Sequence, residues 1–229
     1  LISRGIATGA NDFFCFTRER AEEEHIPAHC LTKCICRSAD IQTPIFTKAD
    51  FAALSDAGKK VYLLDATVRD RDEIEPYLLI GETDGIDKRH LTSCRKPWYS
   101  MERKNAAPIW VSPNCRNGIK FVRNLAGVKT LTTFHSVFVR EEDQRDTNLI
   151  FCYFLTPIAQ KIIRENRKVM GRGLEKFQPN DLNKAKMLDI RLISEEDRRR
   201  IEMIYDRMRE RYDPIYVAQL NEIFTAYLR

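Results

Sequence analysis

The chain has 229 residues, of which 43% are hydrophobic, and its 38 basic and 33 acidic residues leave a net charge of +5. That length can bury a sizeable core, either as one large domain or as a domain with an appendage. No apolar run reaches the roughly 20 residues of a membrane-spanning helix and no signal peptide is recognisable, so we expect a cytoplasmic protein without a membrane partner. The seven cysteines are an odd, scattered set, which indicates reduced thiols.

Short apolar runs predict strands in the first two thirds of the chain. Residues 13–16 and 61–66 have the length of buried strands. Residues 108–112, 119–123 and 128–139 continue the strand-rich region up to about residue 140. The strands are therefore expected to be interrupted by helices rather than to alternate strictly with them.

Helices are predicted from their start and stop signals. Thr47 and Asp50 have the spacing of a capping box, and Gly58 ends that short helix. The segment 146–166 predicts a mostly buried helix that restarts at Pro157, where a first-turn proline is tolerated.

Two charged amphipathic helices are predicted at the end of the chain. The first begins at Ser194 with a second capping box completed by Asp197, and the other follows Pro214. The apolar faces are Ile201, Ile204, Tyr205, Met208 and Tyr212 on the first helix, and Val217, Leu220, Ile223, Phe224 and Tyr227 on the second. We expect both helices to pack within the chain, with docking of a catalytic domain or self-association through 194–229 as alternatives.

Three short patterns suggest catalytic or metal sites, but each has a better structural explanation. HIPAHCLTKCIC at 25–36 holds two histidines and three cysteines, yet it lacks a C-x2-C pair and Pro27 separates the histidines, which favours core packing over zinc. Glu102 and Lys104 have the E-x-K spacing of magnesium-dependent nucleases without a leading apolar strand. Asp213 precedes a proline between two helices, where it caps a helix rather than holding a flipped base. No catalytic, cofactor-binding or metal-binding residue is predicted in this chain.

Two segments combine basic residues with aromatic residues or glycines. They are RKPWYSMERK at 95–104 and RENRKVMGRGLEKFQPNDL at 164–182. Lysine and arginine supply phosphate contacts, arginine can fork onto guanine, and glycines let a backbone approach a partner closely. The alternative is a pair of solvated charged loops with the aromatic residues in the core.

Four motifs in order resemble a known family. They are RGIATGANDFF, HIPAHCLTKCICRSADI, KPWYS followed by APIWVSP, and MGRGLEKFQPNDLNKAKMLDI. Over about residues 4–190 the chain resembles the C-terminal target-recognition region of class I (gamma-type) adenine-N6 DNA methyltransferases of restriction-modification systems. The resemblance implies that Gly5 and Gly9 are turn glycines at the junction with an upstream catalytic domain. Leu1 is not an initiator methionine, so we expect a piece of a longer protein.

The resemblance also implies the fold and the function. The expected fold is α+β, a twisted and mainly antiparallel sheet with packed helices as in DNA methylase specificity domains. It divides into a target-recognition domain at 1–190 and a C-terminal amphipathic helical hairpin at 191–229. The upstream domain would bind S-adenosylmethionine and methylate a flipped adenine, while this chain would hold double-stranded DNA and read the flanking base pairs. From residue type and loop position, the predicted DNA contacts are Arg95, Lys96, Trp98, Tyr99, Arg103, Lys104, Arg172 and Lys176, with the two aromatic residues as wall or stacking residues.

Three other classes of protein remain open at this point. A DNA-binding specificity subunit of a restriction system usually carries two recognition domains, and one is visible here. A combined nuclease-methylase would add metal-dependent cutting by the full-length protein. A helical module that binds protein rather than DNA would show no salt-sensitive duplex binding.

Overall fold

The computed structural model describes residues 1–115, 118–165, 168–169 and 175–228, so the predicted DNA contact Arg172 lies outside the described residues. The strands are β1 (Ile2–Arg4), β2 (Cys15–Phe16), β3 (Leu31–Ile35), β4 (Ile45–Phe46), β5 (Tyr62–Leu64), β6 (Ile109–Val111), β7 (Asn114–Cys115), β8 (Phe121–Asn124), β9 (Lys129–Thr130), β10 (His135–Val137), β11 (Lys168–Val169) and β12 (Glu175–Lys176). The α-helices are α1 (Asn11–Phe14), α2 (Arg18–Glu23), α3 (Lys48–Asp56), α4 (Arg71–Thr83), α5 (His90–Ser93), α6 (Thr147–Leu155), α7 (Pro157–Arg164), α8 (Pro179–Asn183), α9 (Glu195–Glu210) and α10 (Pro214–Ala226). Short 3-10 helices span Ala28–Cys30, Ser38–Asp40, Val68–Asp70, Glu141–Asp146 and Ile190–Leu192.

The strands form three sheets. The first has the order β1-β10-β6-β8-β4, the second β2-β5-β3-β9, and the third β11-β12-β7. Among the described strand pairs, β4 with β8 and β3 with β9 are parallel and the others are antiparallel. The predicted α+β fold with mainly antiparallel strands and packed helices is confirmed, although its strands are divided among several sheets rather than joined in one.

The largest buried cluster is built around α6. Every residue from Leu149 to Phe154 is buried, because this helix contacts β8 of the first sheet as well as α9 and α10. The Phe121 ring of β8 stacks on the Phe154 ring with centroids 4.7 Å apart. A second cluster joins α1 and α4 to the second sheet, and a third surrounds the fully buried Trp110 of β6.

Two of the predicted strands differ from the structure. Residues 13–16 begin as a helical turn, since the amides of Phe13 and Phe14 both donate to the carbonyl of Ala10, and only Cys15–Phe16 is extended. The run 128–139 is broken between β9 and β10 by a turn in which the Phe134 amide donates to the Leu131 carbonyl. In both places local turn hydrogen bonds override an apolar run that looks extended.

The predicted C-terminal helices are present and pack within the chain. Asp197 donates its amide to the Ser194 hydroxyl, as predicted, but its carboxylate accepts the Tyr227 hydroxyl at 2.6 Å instead of the Ser194 amide. The Ser194 amide donates to that same hydroxyl at 3.0 Å, so Tyr227 ties the end of α10 to the start of α9. Both helices share a buried cluster with the first sheet. A domain boundary at residue 190 stays a prediction.

A buried histidine on β10 makes the stability of the fold depend on pH. His135 is 4% exposed, its Nε2 lies 2.9 Å from the Phe177 carbonyl oxygen, and its Nδ1 has no partner among the described residues. Burial lowers the pKa of His135 below its usual 6.5. The unfolded chain therefore takes up a proton at a higher pH than the folded chain, and the free energy of unfolding falls as pH drops below about 6.5.

We expect the loss to approach about 1.4 kcal/mol per pH unit for this one group. Urea unfolding of the wild type and of His135→Gln at pH 7.5, 6.5 and 5.5 measures it. Glutamine keeps a donor for the Phe177 carbonyl, so the variant should lose less stability on acidification. Equal pH dependence of the two proteins would contradict this assignment to His135.

Candidate nucleic-acid interface

The loop at 95–104 is fixed to the RGIATG segment by two basic side chains. The Arg95 guanidinium donates to the carbonyls of Ala7 and Thr8, the latter at 3.0 Å. The Lys104 ammonium donates to the Arg4 carbonyl at 2.7 Å. Burial lowers the pKa of Arg95 from its usual value, as expected for a cation partly removed from water. Arg95 therefore positions the loop in this structure and has few donors left for DNA.

The two glycines of that segment differ in role. Gly9 has a φ of +83°, which fits the predicted turn glycine. Gly5 does not have a positive φ; it is buried where a Cβ would collide with the Leu131 carbonyl and lie 2.7 Å from the Phe134 carbonyl oxygen. The prediction of a turn at Gly5 is therefore wrong, because close packing of backbone against backbone requires the glycine.

The predicted stacking residues lie against the core. Tyr99 is fully buried, so no face of its ring is available to a base. Trp98 is half-buried, its ring lies 5.6 Å from Phe13 and 5.8 Å from Tyr99, and its indole N–H donates to Glu82 at 3.2 Å. Both aromatic residues therefore pack against the core, which is the alternative that the sequence left open for them.

A basic groove of about 420 Å³ lies beside this loop. Its lining is Thr32, Lys33, Arg103, Lys104, Asn105, Ala106, Gly127 and Lys129. Four of these side chains are cationic, and no aspartate or glutamate is among the described lining residues. The groove therefore has the charge expected of a site for phosphate groups.

Parallel strand pairing and one buried amide build the groove. In the pairing of β3 with β9, Cys34 is the partner of Lys129, which brings Lys129 close to Lys33. Asn124 is 6% exposed, and its side-chain amide donates to the Ala107 carbonyl at 2.8 Å while its oxygen accepts the Gly127 amide at 3.0 Å. Asn124 therefore links the turn that carries Gly127 to the loop that carries Arg103 to Ala106.

The four cations of the groove differ in how much of their charge is already compensated. Lys129 pairs with Asp65 at 2.9 Å, and Lys104 pairs with Glu102 at 2.6 Å. The Lys33 ammonium lies 5.3 Å from the centre of the Phe51 ring without an acidic partner in the described part of the chain. Arg103 is exposed and likewise makes no ion pair with a described residue. Lys33 and Arg103 are thus the cations with most charge available to an anion.

The other predicted contacts lie elsewhere. Lys96 is exposed next to Arg95, and Lys176 is half-buried on β12 in the third sheet. Sequence patterns pointed to Arg103 and Lys104 but missed Lys33 and Lys129. Lys33 lies within the histidine and cysteine segment that suggested zinc, and Lys129 begins the two-residue strand β9. Neither residue therefore belongs to a basic run. Only the pairing of β3 with β9 brings them to the groove.

Comparison with known proteins identifies the family. A family model described as "Type II methyltransferase M.Eco57I, C-terminal domain" matches residues 2–222. The chain belongs to the M.Eco57I C-terminal domain family. The resemblance to the C-terminal region of a restriction-modification methyltransferase is thereby confirmed.

One curated relative of this chain is the type II methyltransferase M.AccI of Acinetobacter calcoaceticus. It is 42% identical over 197 residues, which cover 85% of this chain and 36% of M.AccI. The chain thus spans about a third of the length of this relative.

Two solved structures share the fold of this family member. The type IIG restriction endonuclease BpuSI aligns with a TM-score of 0.57 and 14% identity, over 90% of this chain and 25% of BpuSI. The type IIL restriction-modification enzyme MmeI, solved in complex with DNA, aligns with a TM-score of 0.59 and 13% identity, over 96% of this chain and 31% of MmeI. The α+β fold is therefore one that restriction-modification enzymes contain. Among the described helices, none is long and apolar enough to cross a membrane.

Proposed function

We propose that this chain is the target-recognition part of a site-specific adenine-N6 DNA methyltransferase of a restriction-modification system. The observation that carries the proposal is the basic groove, in which cations from three separate segments face one cavity. Membership of the M.Eco57I C-terminal domain family supports the link to a DNA methyltransferase.

The groove offers two kinds of contact to double-stranded DNA. Lys33 and Arg103 supply charge for phosphates and release counterions when they bind. Asn105 and Thr32 supply neutral donors and acceptors, which suit hydrogen bonds to base edges. An arginine in this position can also fork onto a guanine, so Arg103 is the residue whose loss distinguishes base reading from phosphate binding.

The predicted contacts outside the groove are proposed to bind the DNA backbone. Lys96, Arg172 and Lys176 are assigned to phosphates, which fix the orientation of a duplex without reading its sequence. Arg95 is assigned to positioning the loop, because its guanidinium already donates to two carbonyls of the RGIATG segment.

Catalysis is assigned to a separate domain of the same enzyme. The curated relative M.AccI is almost three times as long as the matched part, which leaves room for a domain that binds S-adenosylmethionine. That domain would take up the flipped adenine and transfer the methyl group to its exocyclic amine, while this chain holds the flanking duplex. We place the enzyme in the cytoplasm.

The test is duplex binding by charge-matched pairs of variants. Anisotropy with a randomised duplex pool at several salt concentrations compares Arg103→Ala and Lys33→Ala with Arg199→Ala and Lys186→Ala. The two control residues are exposed cations outside the groove, and neither has an ion pair among the described residues. Each groove variant should weaken binding about five- to tenfold and reduce the salt slope by about 1, while the controls stay near the wild type.

Sequencing the bound pool then distinguishes recognition of base pairs from binding to phosphates alone. A short motif enriched by the wild type and relaxed at one base pair by Arg103→Ala would support base recognition. Groove variants that bind like their controls would overturn the assignment of the groove. A wild-type chain that binds no duplex even at low salt would overturn the proposal that it recognises DNA on its own.

A further inference from the structure

The three-residue cluster His29, Cys30 and Asp70 joins two parts of the chain that are far apart in sequence. His29 and Cys30 end the 3-10 turn Ala28–Cys30 just before β3, and Asp70 ends the turn Val68–Asp70 just before α4. One ligand atom from each of the three residues lies within 4.8 Å of the other two. Glu73, in the first turn of α4, adds a carboxylate oxygen 3.4 Å from the His29 Nε2.

The spacing of these atoms is compatible with a bound ion. His29 Nε2 lies 3.7 Å from Asp70 Oδ1 and 3.4 Å from Glu73 Oε1. A charge-assisted hydrogen bond would bring nitrogen and oxygen to about 2.7–2.9 Å. Nitrogen and oxygen ligands about 2.1 Å from a tetrahedral zinc ion lie about 3.4 Å from each other. The observed separations are close to the edges of such a tetrahedron.

The sulfur atom at this cluster belongs to a buried residue of the second hydrophobic cluster. Cys30 is fully buried, and its thiol has no hydrogen-bond partner among the described residues. Its backbone is held on both sides, since the Cys30 amide donates to the Pro27 carbonyl and the Asp65 amide donates to the Cys30 carbonyl. Its thiol also lies within 4.8 Å of an imidazole nitrogen and a carboxylate oxygen, which are groups that accompany cysteine at zinc sites.

Asp70 is oriented for a ligand by its own neighbours. Its Oδ2 accepts the Thr67 amide at 2.6 Å and the Thr67 hydroxyl at 2.7 Å, which leaves Oδ1 facing His29. Outer hydrogen bonds of this kind orient the carboxylates that bind metals.

We propose that His29, Cys30 and Asp70 bind a zinc ion, with the Glu73 carboxylate beside His29 as an outer group. The ligand set of one nitrogen, one sulfur and one oxygen suits zinc, whereas magnesium and calcium prefer oxygen alone. An ion held by these three residues joins the start of β3 to the turn before α4.

The test measures Zn²⁺ binding by the whole 229-residue chain, in competition with a chromophoric chelator. The wild type should bind one Zn²⁺ ion, and His29→Ala and Glu73→Gln should each weaken that binding at least about tenfold. Both residues are exposed, so these variants should fold. His25→Asn and Cys94→Ala are matched controls, because both residues are exposed and lie outside the cluster, and both should bind like the wild type.

Cobalt identifies the sulfur ligand independently. Co²⁺ bound to the wild type should give a thiolate charge-transfer band and the visible bands of a tetrahedral site, and Cys30→Ala should lose the thiolate band. Wild-type binding no tighter than that of His29→Ala would overturn the proposal. Loss of binding in Cys94→Ala, or a cobalt spectrum without a thiolate band, would place the ion elsewhere and would also overturn it.

Discussion

Gly5→Ala is expected to lower the free energy of unfolding by at least about 3 kcal/mol, a large effect for one methyl group. The added Cβ would collide with the Leu131 carbonyl and lie 2.7 Å from the Phe134 carbonyl oxygen. Neither backbone can move freely. The Ile6 amide donates to the Thr130 carbonyl at 3.0 Å, and the Thr132 amide donates to the Ile6 carbonyl at 3.1 Å. Relief of the clash would therefore break hydrogen bonds that join the RGIATG segment to the strand region after β9.

Gly58→Ala is the matched control for this substitution. Gly58 has a φ of +65° and no atom within 4 Å of an added Cβ, so alanine should cost only about 1 kcal/mol there. Urea unfolding of both variants measures the difference. A loss at Gly5 no larger than the loss at Gly58 would contradict the close approach of the two backbones.

Arg198→Ala is expected to lower the free energy of unfolding by about 3 kcal/mol. The Arg198 and Asp146 side chains are 19% and 14% exposed, and their ion pair has a nitrogen-to-oxygen distance of 2.6 Å. The same guanidinium donates to the Ile190 carbonyl at 2.6 Å and to the Ile193 carbonyl at 3.2 Å. Its removal leaves the largely buried Asp146 carboxylate with only the longer Arg145 contact at 3.9 Å, and removes a hydrogen bond from each of the two carbonyls.

The cost of losing Arg198 should appear as earlier unfolding of the whole chain. α9 shares its buried cluster with α6 and the first sheet, so release of the helix exposes their apolar surface as well. A single cooperative transition at a lower urea concentration is the expected result. Separate unfolding of the C-terminal helices before the rest would instead support the predicted domain boundary at residue 190.

Arg191→Ala serves as the control for the ion pair. Arg191 pairs with Asp189 at 2.7 Å, but the two side chains are 81% and 40% exposed. Water and salt screen such a pair, so its loss should change stability by less than about 0.5 kcal/mol. Equal effects of the two substitutions would show that burial does not determine the contribution of the Arg198 pair.

Helix positions were the part of the fold that could be predicted most closely. The Thr47 capping box does start α3, the proline restart does separate α6 from α7, and Asp213 does cap α10. These signals are local, since each depends on a side chain and an amide a few residues apart. The apolar face predicted for α9 also contains Ile201, Tyr205 and Met208, which are buried.

The candidate groove and the metal cluster depended on long-range contacts instead. Lys129 reaches Lys33 only through the pairing of β3 with β9. Asp70 reaches Cys30 only through the pairing of β3 with β5, because β5 leads into the turn that ends at Asp70. Spacing within the segment 25–36 excluded a zinc knuckle, but it could not include a ligand from another element. Likewise, the aromatic residues of RKPWYSMERK looked available to a base until tertiary packing buried Tyr99.

The sequence by itself predicted α3, α6, α7, α9 and α10 from capping and periodicity, and the resemblance of its ordered motifs indicated the fold class and the family. These signals lie in neighbouring residues. The tertiary structure alone decided which cations face one groove, which glycine is required by close packing, and which histidine and cysteine meet a carboxylate. Those outcomes depend on distances between residues that are far apart along the chain, and such distances are fixed only when the sheets and helices pack.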